Sequence, residues 1–310
     1  VLLLKDPDRQ RILSAVSSRG AAFQLTRVAV ITVSQVILLA VPLMGWVRLD
    51  LWQGNHLLLG EAVGLTDALK GFVVALSIMW GFTFATNLIV GRFFCGWGCP
   101  VGYVSRLGED ADRTKRKKLR WMFSHLSGAA FVATFVGAIM LWWVDPMVMV
   151  EGSAAARATV AGVFLVLSAG GFLHAFVWRF GFCRVACPIG LYYRFVTSST
   201  PVGIVFRQDP SPCIECGACE KICPVDLDPK RLGETQFIPN LRGNETMERY
   251  GDAECIRCGD CVEACRMIYK GRPGEVPPMR FGRPDADDPG PCMGGGASVA
   301  APPQSADSSG

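Results

Sequence analysis

The chain has 310 residues, 50% of them hydrophobic and only 19% charged, with a formal net charge of +4. A mean hydropathy of +0.30 argues against a water-soluble globule, although the length suffices for one large or two ordinary domains. The basic residues are grouped beside apolar runs and lack interleaved aromatics, which excludes nucleic acid as the natural partner.

In chain order, residues 1–27 form a basic N-terminal segment with Lys5, Arg9, Arg11, Arg19 and Arg27. Four runs free of Asp, Glu, Lys and Arg follow, at residues 28–47, 71–90, 126–144 and 158–178. Each approaches the roughly 20 residues that a helix needs to cross a bilayer core. A charge at mid-membrane would cost about 2.5–3.5 kcal/mol, so its avoidance in all four predicts four transmembrane helices. The first run is longer than a signal-peptide core and is expected to remain in the mature protein. Trp46, Trp142, Trp143 and Trp178 lie at or near run ends, where indole rings favour the membrane interface.

The loop between the second and third runs carries eight basic residues, including "RTKRKKLR" at 113–120, whereas the other two loops carry only Arg48 with Lys70, and Arg157. By the positive-inside rule the N-terminus, this middle loop (91–122, with its basic stretch at 108–122) and everything after Arg179 face the cytoplasm.

An internal repeat joins the runs in pairs. A shift of 88 positions lays "FFCGWGCPVGYVSRL" on "GFCRVACPIGLYYRF", placing Cys95 on Cys183, Cys99 on Cys187, Pro100 on Pro188 and Arg106 on Arg194. Residues 28–107 and 123–195 thus form two units, each of two helices plus a C-x3-C-P motif. Both begin and end on one side, so they are parallel repeats related by an axis along the membrane normal. Three readings of the motif stay open: a metal or redox site built from both pairs, reversible disulfide chemistry, or a structural helix end. On a helix, residues four apart share a face, which would bring the two sulfurs of each pair together.

Residues 200–283 are polar, punctuated by Pro and Gly, and form a small soluble domain. The last stretch, 284–310, is too poor in apolar residues for a core and is expected to be disordered, with Cys292 an idle thiol. Of the 13 cysteines, eight form two runs, "CIECGACEKICP" and "CIRCGDCVEAC". Cytoplasmic thiols stay reduced, so metal binding is favoured over a disulfide framework. The spacing C-x2-C-x2-C-x3-C, twice, matches two 4Fe-4S clusters with exchanged fourth ligands. One cluster then takes Cys213, Cys216, Cys219 and Cys265, and the other Cys223, Cys255, Cys258 and Cys261. Structural zinc is the competing reading, but Gly217 and Gly259 occupy the same slot in both runs, where the backbone must bend around a cluster.

This region resembles a bacterial two-cluster ferredoxin, with Arg266 standing where proline would be usual. Four spans, two C-x3-C-P motifs and a double cluster run together resemble a family of membrane-bound ferredoxin-type electron-transfer proteins over about residues 25–270. That family includes the methylamine-utilisation ferredoxin-type protein, which this chain resembles more, and the quinol-dehydrogenase membrane subunit of periplasmic nitrate reductase. The resemblance implies a polytopic α-helical protein of the inner membrane with a C-terminal α+β ferredoxin-like domain. It also implies electron transfer between the quinone pool and a periplasmic dehydrogenase or reductase, beside a partner iron-sulfur protein. Clusters on the cytoplasmic side and a client on the other oblige electrons to recross the membrane. A different class of function, a maturation factor that reduces a metal or thiol for another enzyme, fits the same motifs.

Quinone would need polar groups near the interface, and the spans offer Thr86, Asn87, His174, Arg92 and Arg179. His174, ionisable and inside a span, is a quinone candidate by default; a neutral imidazole bonded between helices is the plainer reading, and haem ligation would need a second well-placed histidine. A periplasm-activated reporter fused after Arg283 is expected to stay silent, and activity there would reverse the orientation read from charge.

Overall fold

The computed structural model describes residues 21–113, 118–178, 180–185, 187–195, 200–239, 246–270 and 272–283. Arg179, Cys292, the tail and most of the N-terminal segment lie outside the described residues. Helix α1 (Ala21–Leu43) passes through a small antiparallel sheet of β1 (Val47–Arg48), β2 (His56–Leu58) and β3 (Glu61–Val63) into α2 (Leu65–Val90). Two shorter helices, α3 (Phe93–Trp97) and α4 (Pro100–Arg113), turn the chain into α5 (Lys118–Met140). A turn containing α6 (Val148–Glu151) leads to α7 (Ala154–Leu173), which widens into a π-helical segment, His174–Trp178. Helices α8 (Gly181–Val185) and α9 (Pro188–Phe195) follow.

Stretches 22–43, 65–90, 121–140 and 154–177 are long and apolar enough to cross a membrane, and in each the most apolar window is at most 22% buried within the protein. Val33, Ile37, Ile78, Phe82, Leu165 and Val166 are all more than half exposed. In water each would forfeit about 25 cal/mol for every Å² left uncovered; against lipid tails there is no such loss, and the chain is a multi-pass membrane protein.

The helices start four to six residues before the charge-free runs. A criterion that forbids charge discards the first one or two turns, where Arg27, Lys70 and Arg157 sit, although long basic side chains reach back to polar surroundings from that depth. The first run also ends sooner than its apolarity suggests. Gly45, at φ +69°, turns the chain, so Val47 pairs with Leu58 in the sheet instead of continuing the helix.

The connections away from the cysteine loops hold each other. The Leu49 and Leu51 amides donate to the Trp142 and Trp143 carbonyls at 2.8 and 3.0 Å. Trp142 Nε1 donates to the Leu38 carbonyl at 3.0 Å, and Arg48 pairs with Asp145 at 2.6 Å.

On the opposite side, β4 (Gly203–Phe206) begins the C-terminal domain. Then come α10 (Ala218–Ile222), a 3-10 turn at Pro229–Arg231, β5 (Thr235–Pro239), β6 (Thr246–Tyr250), α11 (Gly251–Glu254), α12 (Asp260–Tyr269) and β7 (Met279–Gly282). Strand β4 pairs antiparallel with β7, Gly203 opposite Gly282, and so closes the domain near its two ends. The Val202 amide donates to the Ile89 carbonyl at 3.2 Å, tying the start of the domain to the end of α2.

Arg48 and Asp145 are each 11% exposed, so breaking the pair leaves a partly desolvated charge. A double-mutant cycle with Arg48→Ala and Asp145→Ala in detergent should give a coupling of about 1–2 kcal/mol; thermal unfolding followed by circular dichroism measures it.

Candidate functional site

Each cysteine run of the C-terminal domain needs two left-handed residues to fold its loop. Glu215 (φ +52°) with Gly217 (φ +67°), and Arg257 (φ +51°) with Gly259 (φ +76°), occupy matching positions. Glycine adopts this conformation freely, whereas a side-chain-bearing residue is held there only by its surroundings. The loops then differ. Helix α10 ends at Ile222, just before Cys223 and Pro224, whereas α12 runs on past Cys265 to Tyr269. Arg266 therefore stands inside a helix, where proline would break it, and forks onto Glu263 at 2.7 and 2.8 Å.

The two expected quartets are interleaved. Cys261 lies within electrostatic reach of Cys258, Cys255 and Cys223, and also of Cys219 from the other quartet, and Cys223 lies within reach of Cys258 and Cys255. Cys265, from the second run, faces Cys216 and Cys213 of the first, and Cys219 is close to Cys216. Among the described residues no three His, Cys, Asp or Glu side chains converge on a single-ion site. Four thiolates on one zinc, at Zn–S of about 2.3 Å, would stand only about 3.8 Å apart. Here Cys223, Cys255, Cys258 and Cys261 line one apolar pocket, walled by residues such as Ile256 and Leu232. Four cysteines on one apolar lining, in the spacing of a 4Fe-4S dicluster domain, suit a cubane cluster.

Burial pushes the Cys219 and Cys255 thiols up to about 12. Without a metal these sulfurs are neutral, and iron is the partner that would hold them as thiolates. Amide N–H groups already point at them: Leu227 N lies 3.4 Å from Cys223 Sγ, and Glu215 N 3.4 Å from Cys213 Sγ. Such bonds help set cluster potentials. The quartets differ in exposure, since Cys255, Cys258 and Cys261 are buried and only Cys223 is half-buried in the second, whereas Cys213, Cys216, Cys219 and Cys265 of the first are all partly open.

Buried arginines dock the second quartet's loop onto the membrane helices. Arg27 of α1 donates to the Cys258 carbonyl at 2.7 Å and to Asp260 Oδ1 at 2.8 Å, and Arg106 of α4 binds Asp260 Oδ2. Burial alone would raise the Asp260 carboxyl, but Arg106 and Arg27 outweigh it and hold the group below the usual carboxylate range. The Arg27 guanidinium also lies over Phe23 and Trp97, 4.9 and 5.3 Å from the ring centroids. Phe23 in turn covers Gly259, where an added Cβ would come within 3.0 Å of its ring.

The described residues of the two C-x3-C-P loops make matching contacts in both repeats. Cys99 N donates to the Phe94 carbonyl at 2.8 Å and Cys187 N to the Phe182 carbonyl at 2.9 Å. Gly102 and Gly190 lie so close to the Cys95 and Cys183 carbonyls that an added Cβ would stand 2.3 Å away in each case. Contrary to the single-helix expectation, Cys95 and Cys99 do not share a helix. Helix α3 stops at Trp97 with Gly98 as its cap, and Pro100 opens α4, because proline suits a first helical position but not an interior one. None of the 12 described cysteines forms a disulfide.

Arg92, just beyond α2, is 2% exposed and turned away from lipid. It donates to the Ala253 and Cys183 carbonyls at 2.9 and 3.2 Å and lies within electrostatic reach of the Cys95 thiol. His174 opens the π-helical segment with its ring edge-on to Phe182, 5.9 Å between centroids, and its buried Nε2 has no hydrogen-bond partner among the described residues. The Asn87 side-chain amide is likewise buried and unpartnered among the described residues. Sequence reasoning missed Arg27, Arg106, Asp260 and Gly96 as site residues. It counted the arginines as topogenic charge, and only the coincidence of Arg106 with Arg194 in the repeat hinted at more.

The family described as 4Fe-4S dicluster domain matches residues 205–266, and the family described as 4Fe-4S binding domain matches twice, at 72–118 and 160–205. Among curated relatives, the methylamine utilization ferredoxin-type protein MauN of Methylorubrum extorquens is 31% identical over 44% of this chain and 48% of its own. The putative electron transport protein YccM of Escherichia coli is 26% identical over 58% and 50%. The ferredoxin-type protein NapH of Haemophilus influenzae is 25% identical over 66% and 69%. The chain spans about half to two thirds of the length of such relatives, and no solved structure matches it.

Asp260→Asn would leave two buried guanidinium groups facing a neutral amide, a change worth about 3–5 kcal/mol. The expected outcome is faster proteolytic release of the C-terminal domain from detergent-solubilised protein, with little change in helix content.

Proposed function

Because this chain belongs with the ferredoxin-type membrane iron-sulfur proteins, we propose that it is an electron-transfer subunit of the bacterial inner membrane with both termini in the cytoplasm. Cys213, Cys216, Cys219 and Cys265 would hold one 4Fe-4S cluster, and Cys223, Cys255, Cys258 and Cys261 the other. Bound clusters of this type exchange single electrons and need no substrate pocket. The observation that carries the reading is the polarity of the two quartets. The second is sealed against the membrane helices by Arg27, Arg92 and Arg106, while the first stays partly open, beside the 36% exposed Ile214. The open quartet is the face for a partner iron-sulfur protein, and the sealed one is the face for the membrane.

The lipid-side partner we assign is quinone, with His174 as its contact. Support comes from the buried Nε2, unpartnered among the described residues, on a π-helical turn, a distortion frequent at functional sites. Arg92 belongs to the cysteine loops instead. The client is a periplasmic redox enzyme. The MauN similarity supports methylamine oxidation, whereas the broader match to NapH supports a different client. Growth of a deletion strain on methylamine against growth on other substrates separates them.

The test is anaerobic electron paramagnetic resonance of the purified protein. A quinol should reduce the clusters of the native protein, and His174→Ala should slow that reduction at least tenfold while dithionite still reduces the clusters fully. Reduction by dithionite but by no quinol would remove quinone from the proposal, and a protein without iron would remove the clusters.

A further inference from the structure

The four cysteines of the two C-x3-C-P loops remain outside the double-cluster domain. They come from different repeats, yet the structure gathers them. Cys95 and Cys183 are 8% and 7% exposed and belong to one buried cluster of residues that also holds Phe180, Cys255, Cys258 and Cys261, with Cys187 packed against it. Arg92 crosses between the repeats: it leaves the end of α2, lies within electrostatic reach of Cys95 and donates to the Cys183 carbonyl at 3.2 Å. Each thiol also senses the others, Cys183 lying within electrostatic reach of Cys99, Cys95 and Cys187, and Cys99 of Cys95 and Cys187. The Val101 and Gly102 amides point at Cys99 Sγ, the same N–H to sulfur provision seen at Cys213 and Cys223.

Two buried and two half-buried thiols, a buried guanidinium and inward amides form one built site. A bare dithiol pair would need no second copy, and a helix end would need no cysteine. The match of each repeat to a 4Fe-4S binding domain names neither the ligands nor how many sites the two copies make; the convergence does. We propose that Cys95, Cys99, Cys183 and Cys187 bind one further 4Fe-4S cluster, shared between the repeats, with Arg92 as the charged positioning residue beside it.

The site adjoins the second quartet. Gly96 presses on the cluster loop so closely that a Cβ there would stand 2.5 Å from the Ile256 carbonyl and 2.8 Å from the Cys258 Cα, and Trp97 Nε1 donates to the Arg257 carbonyl at 3.3 Å. The shared centre is therefore a third one-electron stage, between the double-cluster domain and the spans. This inference rests on the electron-transfer reading, and iron stoichiometry keeps the two separable.

Anaerobically purified full-length protein should contain about twelve irons and twelve acid-labile sulfides per chain, four for each cubane. Replacing Cys95 and Cys99 with serine, or Cys183 and Cys187, should each remove about four irons and leave about eight, because a shared cluster cannot survive on half its ligands. Mössbauer spectroscopy should show the lost third as one whole cubane. Native protein with about eight irons would overturn the third site and leave the double cluster standing; no iron at all would overturn both. A loss of about two irons, zinc in place of iron, or a Cys95–Cys99 disulfide in the native protein would each overturn the shared cubane. The native count decides even where the serine variants fail to insert.

Discussion

The architecture depends on a buried carboxylate held between two guanidinium groups from different membrane elements, Asp260 between Arg27 and Arg106. Taking such charges out of water costs several kcal/mol per ion, so the triad is no simple gain in stability. Its use is geometric. A fully paired buried charge tolerates one arrangement of its partners, and here that arrangement sets the C-terminal domain against the start of α1 and the face of α4. Contacts between domains of one chain are usually modest and polar, which allows relative motion. Arg92 on the Ala253 carbonyl and Arg257 on Asp252, Thr200 and Val202 repeat the device around the same loop.

Small residues allow what the arginines enforce. Gly96 brings the first C-x3-C-P loop onto the backbone of Ile256 and Cys258, Gly91 lies beneath the Arg257 guanidinium, and Gly259 combines a left-handed turn with a surface on which Phe23 and Phe281 pack. The result is a polarity in the domain. One quartet of thiols is enclosed by the membrane part and the other is partly open, so an electron carrier built this way has distinct inner and outer ends.

The helix starts show where reading by composition stops. Arg27 interrupts no helix: it sits one turn inside α1, and its charge is spent on Asp260 and the Cys258 carbonyl. A rule that treats charge as the edge of a span cannot anticipate a charge neutralised by a partner 233 residues away. The same limit applies to Cys95 and Cys99, whose helical spacing suggested a shared face until Pro100 was seen to start a new helix.

By itself the sequence determined the four spans, the duplication and the two C-x2-C-x2-C-x3-C runs of the dicluster domain, because each follows from a local rule: bilayer thickness, self-similarity, and the few spacings that wrap a cubane. Only the tertiary structure decided that the two C-x3-C-P loops meet, that the second quartet is the one facing the membrane, and that basic residues near the helix ends bind a buried aspartate. These are contacts between segments distant in the chain, and spacing along a chain carries no information about which distant charges share a low-dielectric interior.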